Sequence, residues 1–245
     1  MEFAPGVWTH VRIVLQGRRS ALFIGDLAKP VLVVPRLGHE PRAGGIALGA
    51  YTPPGTSGAG PVARFANVSV RPGAGVIDAP DPEASAPGAG IVRVWEVGRA
   101  FLPSRETVAA IPAAGLSGEF RRLEALPGGL LELHRLVRMP EGSQEAGAVA
   151  RLRVRAAAAA VRAFDLGFSD RVTVFLNGRP VFSGNAAYSF DRPRRDGVIG
   201  YDQARVWLPL AAGANELTVV VSDGFGGWGL MGRFPDPEGL EWEPR

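Results

Sequence analysis

The stretch Asp165-Leu-Gly-Phe-Ser-Asp170-Arg-Val-Thr-Val-Phe-Leu-Asn177-Gly178-Arg-Pro-Val-Phe182 decides the fold class. Val172, Val174 and Leu176 fall on one face at period two, and Thr173 and Phe175 on the other, which is the signature of a strand. Asn177-Gly178 then supplies two residues that tolerate positive φ, as a two-residue type I′ hairpin requires at both central positions. Val181-Phe182 pairs back on the strand. A slip of one residue would exchange the two faces, so the turn fixes the register. A second stretch, Gly213-Ala-Asn215-Glu-Leu217-Thr-Val219-Val-Val221, alternates in the same way behind a glycine turn, with Asn215 able to bond back to the local backbone.

Working outward, residues 91–234 read as one unit of short strands spaced by turn signals, the pattern of a sandwich or jelly roll. Strands are expected at 91–97, 120–125, 130–137, 148–156, 161–168, 172–176, 206–210 and 217–221. Pro127-Gly128-Gly129 reads as a hairpin turn between the second and third. The alanine run 156–160 reads as strand or strand end. Arg151, Arg153 and Arg155 alternate with apolar residues as the solvent face of a strand. Residues 1–71 form a separate set, with strands expected at 8–15, 21–24, 31–34, 46–50 and 62–70. Between the sets, residues 72–90 are Pro/Ala/Gly/Asp-rich and too poor in apolar groups to offset their ordering entropy, so they read as a linker. Residues 235–245 read as a tail that packs at most through Leu240 and Trp242.

Composition agrees. The 245 residues are 46% hydrophobic and include 33 Gly and 21 Pro, a density that helices would not tolerate. The net charge is +3 and the pI about 9.9. The basic residues are arginines apart from Lys29, and they sit singly among acids and apolar residues. Nucleic-acid binders cluster their charge in a stripe, so no nucleic-acid partner is expected. The lack of cysteine excludes a thiol nucleophile, a disulfide framework and a thiolate metal site. No apolar run approaches the roughly 20 residues of a membrane helix. Residues 1–8 lack the basic start and apolar core of a signal peptide, so the expectation is either a cytoplasmic protein or a sequence whose true beginning is missing.

The two stretches quoted first resemble the galactose-binding-like jelly roll found in accessory and sugar-binding domains of glycoside hydrolases. There the pattern D-x-V-x-V-x-L-N-G is followed by G-x-N-x-L-x-V-x-V. The first set of strands also carries a resemblance. Trp8-Thr-His-Val-Arg-Ile-Val, residues 21–24, Gly44-Gly45-Ile46-Ala-Leu48-Gly49 and Phe65-Ala-Asn67-Val-Ser-Val70 look like the C-terminal half of a concanavalin A-like (laminin G-like) sandwich. The chain is therefore expected to be all-β: a partial β-sandwich followed by a galactose-binding-like jelly-roll β-sandwich. Half a sandwich leaves an apolar sheet face uncovered, which is unusual in a soluble monomer. Three explanations follow: a fragment of a longer protein, packing on the second unit, or pairing with a second copy. The fragment reading is preferred. It would imply a missing N-terminal domain and an extracytoplasmic setting. The resemblance implies a non-catalytic carbohydrate-binding or accessory module. The alternatives are a structural or interaction protein and, less favoured, a glycoside hydrolase.

Catalytic signatures are thin. His10, His39 and His134 show no metal-ligand spacing. Gly55-Thr-Ser57-Gly-Ala59 fails as a nucleophile elbow at its fifth position. Gly224-Phe-Gly226-Gly-Trp-Gly229 matches a dinucleotide fingerprint formally, but no helix follows it; it reads as a glycine-rich loop entering a strand. Glycoside hydrolysis needs two carboxylates about 5–10 Å apart. Glu124 and Glu132 flank the Gly128-Gly129 turn, but each alternates with leucines as on a solvent face. The long loop 184–205 carries amides, carboxylates and guanidinium groups suited to sugar hydroxyls. Asn185, Tyr188, Asp191, Arg195, Tyr201 and Asp202, with Trp228 as a stacking platform, form the candidate ligand set. The plainer readings are a solvated loop tied by Arg–Asp pairs and a core tryptophan. No cofactor is expected; Asp170 and Asp202 are the carboxylates nearest to a calcium site, without a fixed calcium-loop spacing.

Overall fold

The computed structural model describes residues 4, 6–34, 37, 42–49, 63–73, 75–77, 88–103, 110–138, 140–143, 145–187, 199–224 and 226–243. It divides into two compact units, Met1–Ala84 and Ser85–Arg245. The described strands pair antiparallel throughout, and the two helices span four residues each. The chain is an all-β protein built on a β-sandwich.

In the first unit, β1 (Val11–Gln16), β2 (Arg19–Ile24) and β3 (Leu32–Val34) form a three-stranded sheet in that order. Gly17, at φ 57°, turns the first hairpin. Register places Val14 opposite Ala21 and Arg12 opposite Phe23 on one face. That face holds a small cluster of Ala21, Phe23 and Ile77 with Val14 and Val33 against it. The Arg12 guanidinium lies 4.0 Å above the Phe23 ring. The opposite face carries Val11, Ile13, Leu15 and Leu32, all exposed. The strands expected at 46–50 and 62–70 do not form among the described residues there. Asn67, at φ 54°, turns the backbone out of the extended region in the middle of the second run.

The second unit is a sandwich of two antiparallel sheets. The smaller runs β10 (Ala204–Leu210), β7 (Ala160–Ser169), β12 (Gly229–Arg233). The larger has seven strands in the order β5 (Arg121–Glu124), β4 (Val94–Val97), β6 (Ala146–Ala156), β11 (Gly213–Asp223), β8 (Arg171–Leu176), β9 (Arg179–Asn185), with β13 (Leu240–Glu243) also on β6. The inner faces meet in one core. Phe164, Leu166 and Phe168 from β7 and Val206, Leu208 and Leu210 from β10 face Leu152, Val154, Leu217, Val219, Val172 and Val174. The outer face of the larger sheet has its own small cluster, Phe101, Val149, Phe175 and Val220.

The two stretches that decided the fold class are neighbours. β8 and β11 pair with Leu176 opposite Leu217 and Val174 opposite Val219. Their turns are tied together: Asn177 Nδ2 donates to Asn215 Oδ1 at 3.1 Å, and Glu216 N donates to Asn177 Oδ1 at 2.8 Å. Asn177 sits at φ 51° and Gly178 at 77°, as the I′ hairpin demands.

Three expectations need correction. Residues 130–137 are not a strand: Leu131 makes one bridge to Leu230, and α2 (Leu133–Leu136) follows. Leu133, Leu136 and Val137 lie at helical spacing, whereas strand alternation would have sent Arg135 inward with Leu131 and Leu133. The turn at Gly128-Gly129 therefore joins no hairpin, and β5 pairs with β4 instead. The alanine run ends β6 at Ala156 and begins β7 at Ala160, as expected, with a bend at 157–158 between them. Residues 240–243 are more than a loosely packed tail. Leu240 pairs opposite Ala156, and Trp242 stacks 5.1 Å from Phe234.

Candidate functional site

Of the residues selected from sequence, Asn185, Tyr201, Asp202 and Trp228 lie among the described residues. Tyr188, Asp191 and Arg195 lie outside the described residues. Asn185 ends β9, is exposed, and accepts a hydrogen bond from Ala187 N at 3.0 Å. Tyr201 and Asp202 occupy the turn before β10. Trp228 is 1% exposed within the main core and cannot present a stacking face. Gly226, at φ 104°, turns the chain just before it, and a Cβ at Gly229 would stand 2.8 Å from Ile199 Cδ1. The platform role is withdrawn from Trp228.

A different cluster occupies the outer face of the small sheet. Its centre is Asp165 on β7, 2% exposed, with Arg205 of β10 and Arg233 of β12 directly opposite on either side. Arg205 donates through Nε to Oδ1 at 2.7 Å and through Nη2 to Oδ2 at 3.3 Å. Arg233 Nη2 donates to Oδ2 at 2.7 Å. The hydrogen bond from Arg205, seconded by Arg233 and opposed by burial, holds the Asp165 carboxyl below its usual range; the same pair raises Arg205. A buried carboxylate met by two charge-assisted donors stays ionised and holds both arginines in place.

Tyr201 covers one end of this row. The Arg233 guanidinium lies 4.6 Å from its ring centroid, and its hydroxyl donates to Gly128 O at 2.9 Å. Burial pushes the phenol up, against the pull of Arg233 and Arg93. Two glycines allow the approach. A Cβ at Gly129 would collide with the Tyr201 hydroxyl oxygen, and one at Gly167 would stand 2.6 Å from Gly200 O. Gln203 Oε1 accepts from Phe168 N at 2.7 Å and fixes the turn to β7.

The other end of the row is Trp207. Strand β10 alternates strictly: Val206, Leu208 and Leu210 enter the core while Arg205, Trp207 and Pro209 face outward. Trp207 is 60% exposed. Its cross-strand partner is Ala163, whose methyl group leaves the indole uncovered, and Val161 beyond is exposed as well. Arg205 and Trp207 are two residues apart on one face, hence about 6.5 Å apart along the strand. An aromatic plane beside fixed donors suits a sugar ring, whose C–H face stacks while its hydroxyls bond at the edge. Sequence reasoning passed over Trp207, yet the signal was there: a tryptophan on the polar side of an alternating strand.

Other candidates are engaged elsewhere. Glu124 pairs with Arg93 at 2.9 Å and Glu132 with Arg135 at 3.0 Å. His10 precedes β1 and His134 lies in α2, not in strands, while His39 is outside the described residues. Asp170 is buried and accepts from Gly224 N at 2.8 Å. Among the described residues no group of three or more His, Cys, Asp or Glu side chains is placed to hold a metal ion, and no helix is long and apolar enough to cross a membrane.

No family model matches the chain, and no curated protein matches it. Among solved structures it is similar to a GH2 beta-galacturonidase from Eisenbergiella tayi bound to galacturonate, at 17% identity and TM-score 0.32, covering 58% of this chain and 23% of that one. It is similar at 16% identity and TM-score 0.32 to a GH2 beta-galacturonidase of the same organism bound to glycerol, covering 61% of this chain and 26% of that one. The chain thus spans about a quarter of the length of these structures. Likeness this distant assigns no residue.

Proposed function

We propose that the second unit is a non-catalytic carbohydrate-binding or accessory module of a carbohydrate-active protein, of the galactose-binding-like type that its two strand motifs resemble. The observation that carries the reading is Trp207, an exposed indole on a flat sheet face beside a prearranged row of Arg205, Asp165 and Arg233. Large aromatic side chains left open to solvent on a well-packed scaffold are the common anchors of binding surfaces. The row is rigid because it stands on three paired strands rather than on a loop, so little ordering entropy opposes binding.

The test is calorimetry and a glycan array with the full chain. Saccharide binding that falls at least tenfold in Trp207→Ala, with the denaturation midpoint unchanged, is the expected result. No binding to any saccharide, or binding indifferent to Trp207, rejects the proposal.

A structural or interaction role is the second reading, and the uncovered aliphatic face of β1–β3 favours it. It predicts self-association that weakens when that face is made polar. A monomer by light scattering at high concentration rejects it.

A further inference from the structure

Resting on the saccharide reading, we infer that the Trp207 surface selects an acidic sugar, a uronate whose carboxylate meets Arg205. The row holds two guanidinium groups against one carboxylate. Asp165 takes Nε and Nη2 of Arg205 along one edge of the fork. Arg205 is nevertheless 54% exposed at its side chain. Arg205 stands on the outward side of β10 that Trp207 also occupies, and Nη1 is not among the atoms that bond Asp165.

This geometry differs from an ordinary surface arginine in two ways. The guanidinium is already oriented by a buried anion, so a second anion does not have to freeze a mobile side chain. Asp165 also stays ionised further into acid than an ordinary aspartate, held there first by the hydrogen bond from Arg205. The planar fork matches a planar carboxylate better than a tetrahedral group, because two parallel N–H···O bonds form. The second guanidinium, Arg233, is engaged by Asp165 and by the Tyr201 ring, and adds positive potential without competing for the same contact. A neutral hexose would stack on Trp207 and leave the Arg205 edge without an anionic partner.

The experiment uses the full chain and paired probes. Uronate oligosaccharides (galacturonate, glucuronate and mannuronate series) are compared with their carboxyl-reduced counterparts by calorimetry, with a sulfated galactan as a further probe. The expected result is at least tenfold tighter binding of one acidic series than of its reduced partner. That preference should vanish in Arg205→Gln and shrink in Arg205→Lys, which keeps the charge but loses the fork. Trp207→Ala should lower affinity for acidic and reduced probes alike. Equal affinity for acidic and reduced sugars, or tight binding of the sulfated probe with no uronate bound, overturns the inference and leaves the saccharide reading standing. Silence from every probe overturns the saccharide reading itself. Matching denaturation midpoints of the variants keep these outcomes free of folding effects.

Discussion

The described residues form two three-stranded antiparallel sheets whose outer faces differ in kind. The sheet β1–β2–β3 shows solvent a row of aliphatic side chains; Ile13 in its midst is 62% exposed. The sheet β10–β7–β12 shows solvent one indole and an ion-bonded row across all three strands. Their inner faces differ as well. The first closes on a handful of side chains around Phe23, whereas the second closes the main core. Apolar exposure by itself specifies burial against something, without direction or chemistry. A surface that specifies a ligand needs donors held at fixed places beside the apolar plane, and those places are bought by a well-packed sheet beneath.

The largest effect should come from confusing inside with outside. Trp228→Ala removes a fully buried indole and should cost about 3–5 kcal/mol, read as a drop in the urea midpoint of the second unit. Next is the row itself. Asp165→Asn keeps the shape but discharges the centre, and should cost about 1–3 kcal/mol as the charge-assisted bonds weaken. Its sign with pH is fixed: a carboxyl held below its ordinary range stabilises fully above that range. The contribution is lost as pH falls below about 4, toward the folded-state value. Acid titration of stability should therefore flatten in Asp165→Asn; an unchanged acid limb would break the claim. Smaller is Trp207→Ala, which should leave stability within about 0.5 kcal/mol while lowering saccharide affinity at least tenfold. The smallest effect on folding should come from Ile13→Thr in the first unit. It should change stability by about 0.5 kcal/mol or less and show itself only as reduced association in light scattering. If Ile13→Thr were as damaging as Trp228→Ala, that aliphatic face would be internal and the contrast between the two sheets would collapse.

Much of this was legible before any coordinates. Period-two alternation and the Asn177-Gly178 turn gave β8, β9 and β11 and their shared face. Elsewhere local pattern was outvoted. Leu131 and Leu133 looked like strand alternation, yet Leu136 and Val137 complete a helical stripe that a short run does not reveal. Trp228 stood in a glycine-rich run that allowed both a core tryptophan and a stacking platform, and its burial at 1% exposure decides for the core. The row of Arg205, Asp165 and Arg233 was not legible, because its members are 28 and 40 positions apart and meet only through the register of two ladders. Trp207 was legible and passed over, since attention went to the loop before it rather than to the outward side of its strand.

The pair that sets the register also carries a chemical clock. In Asn-Gly sequences the following amide nitrogen meets little hindrance in attacking the asparagine side chain, and asparagine is among the thermolabile residues. Asn177 spends its amide on two bonds, one given to Asn215 and one taken from Glu216. Hydrolysis to a carboxylate would set acceptor against acceptor at Asn215, whose own amide is committed to Ala211 and Gly213. Slow ageing at this one site would therefore loosen the joint between the Asn177-Gly178 hairpin and the turn that enters β11, and the shelf life of the protein would be written in the same dipeptide as its topology.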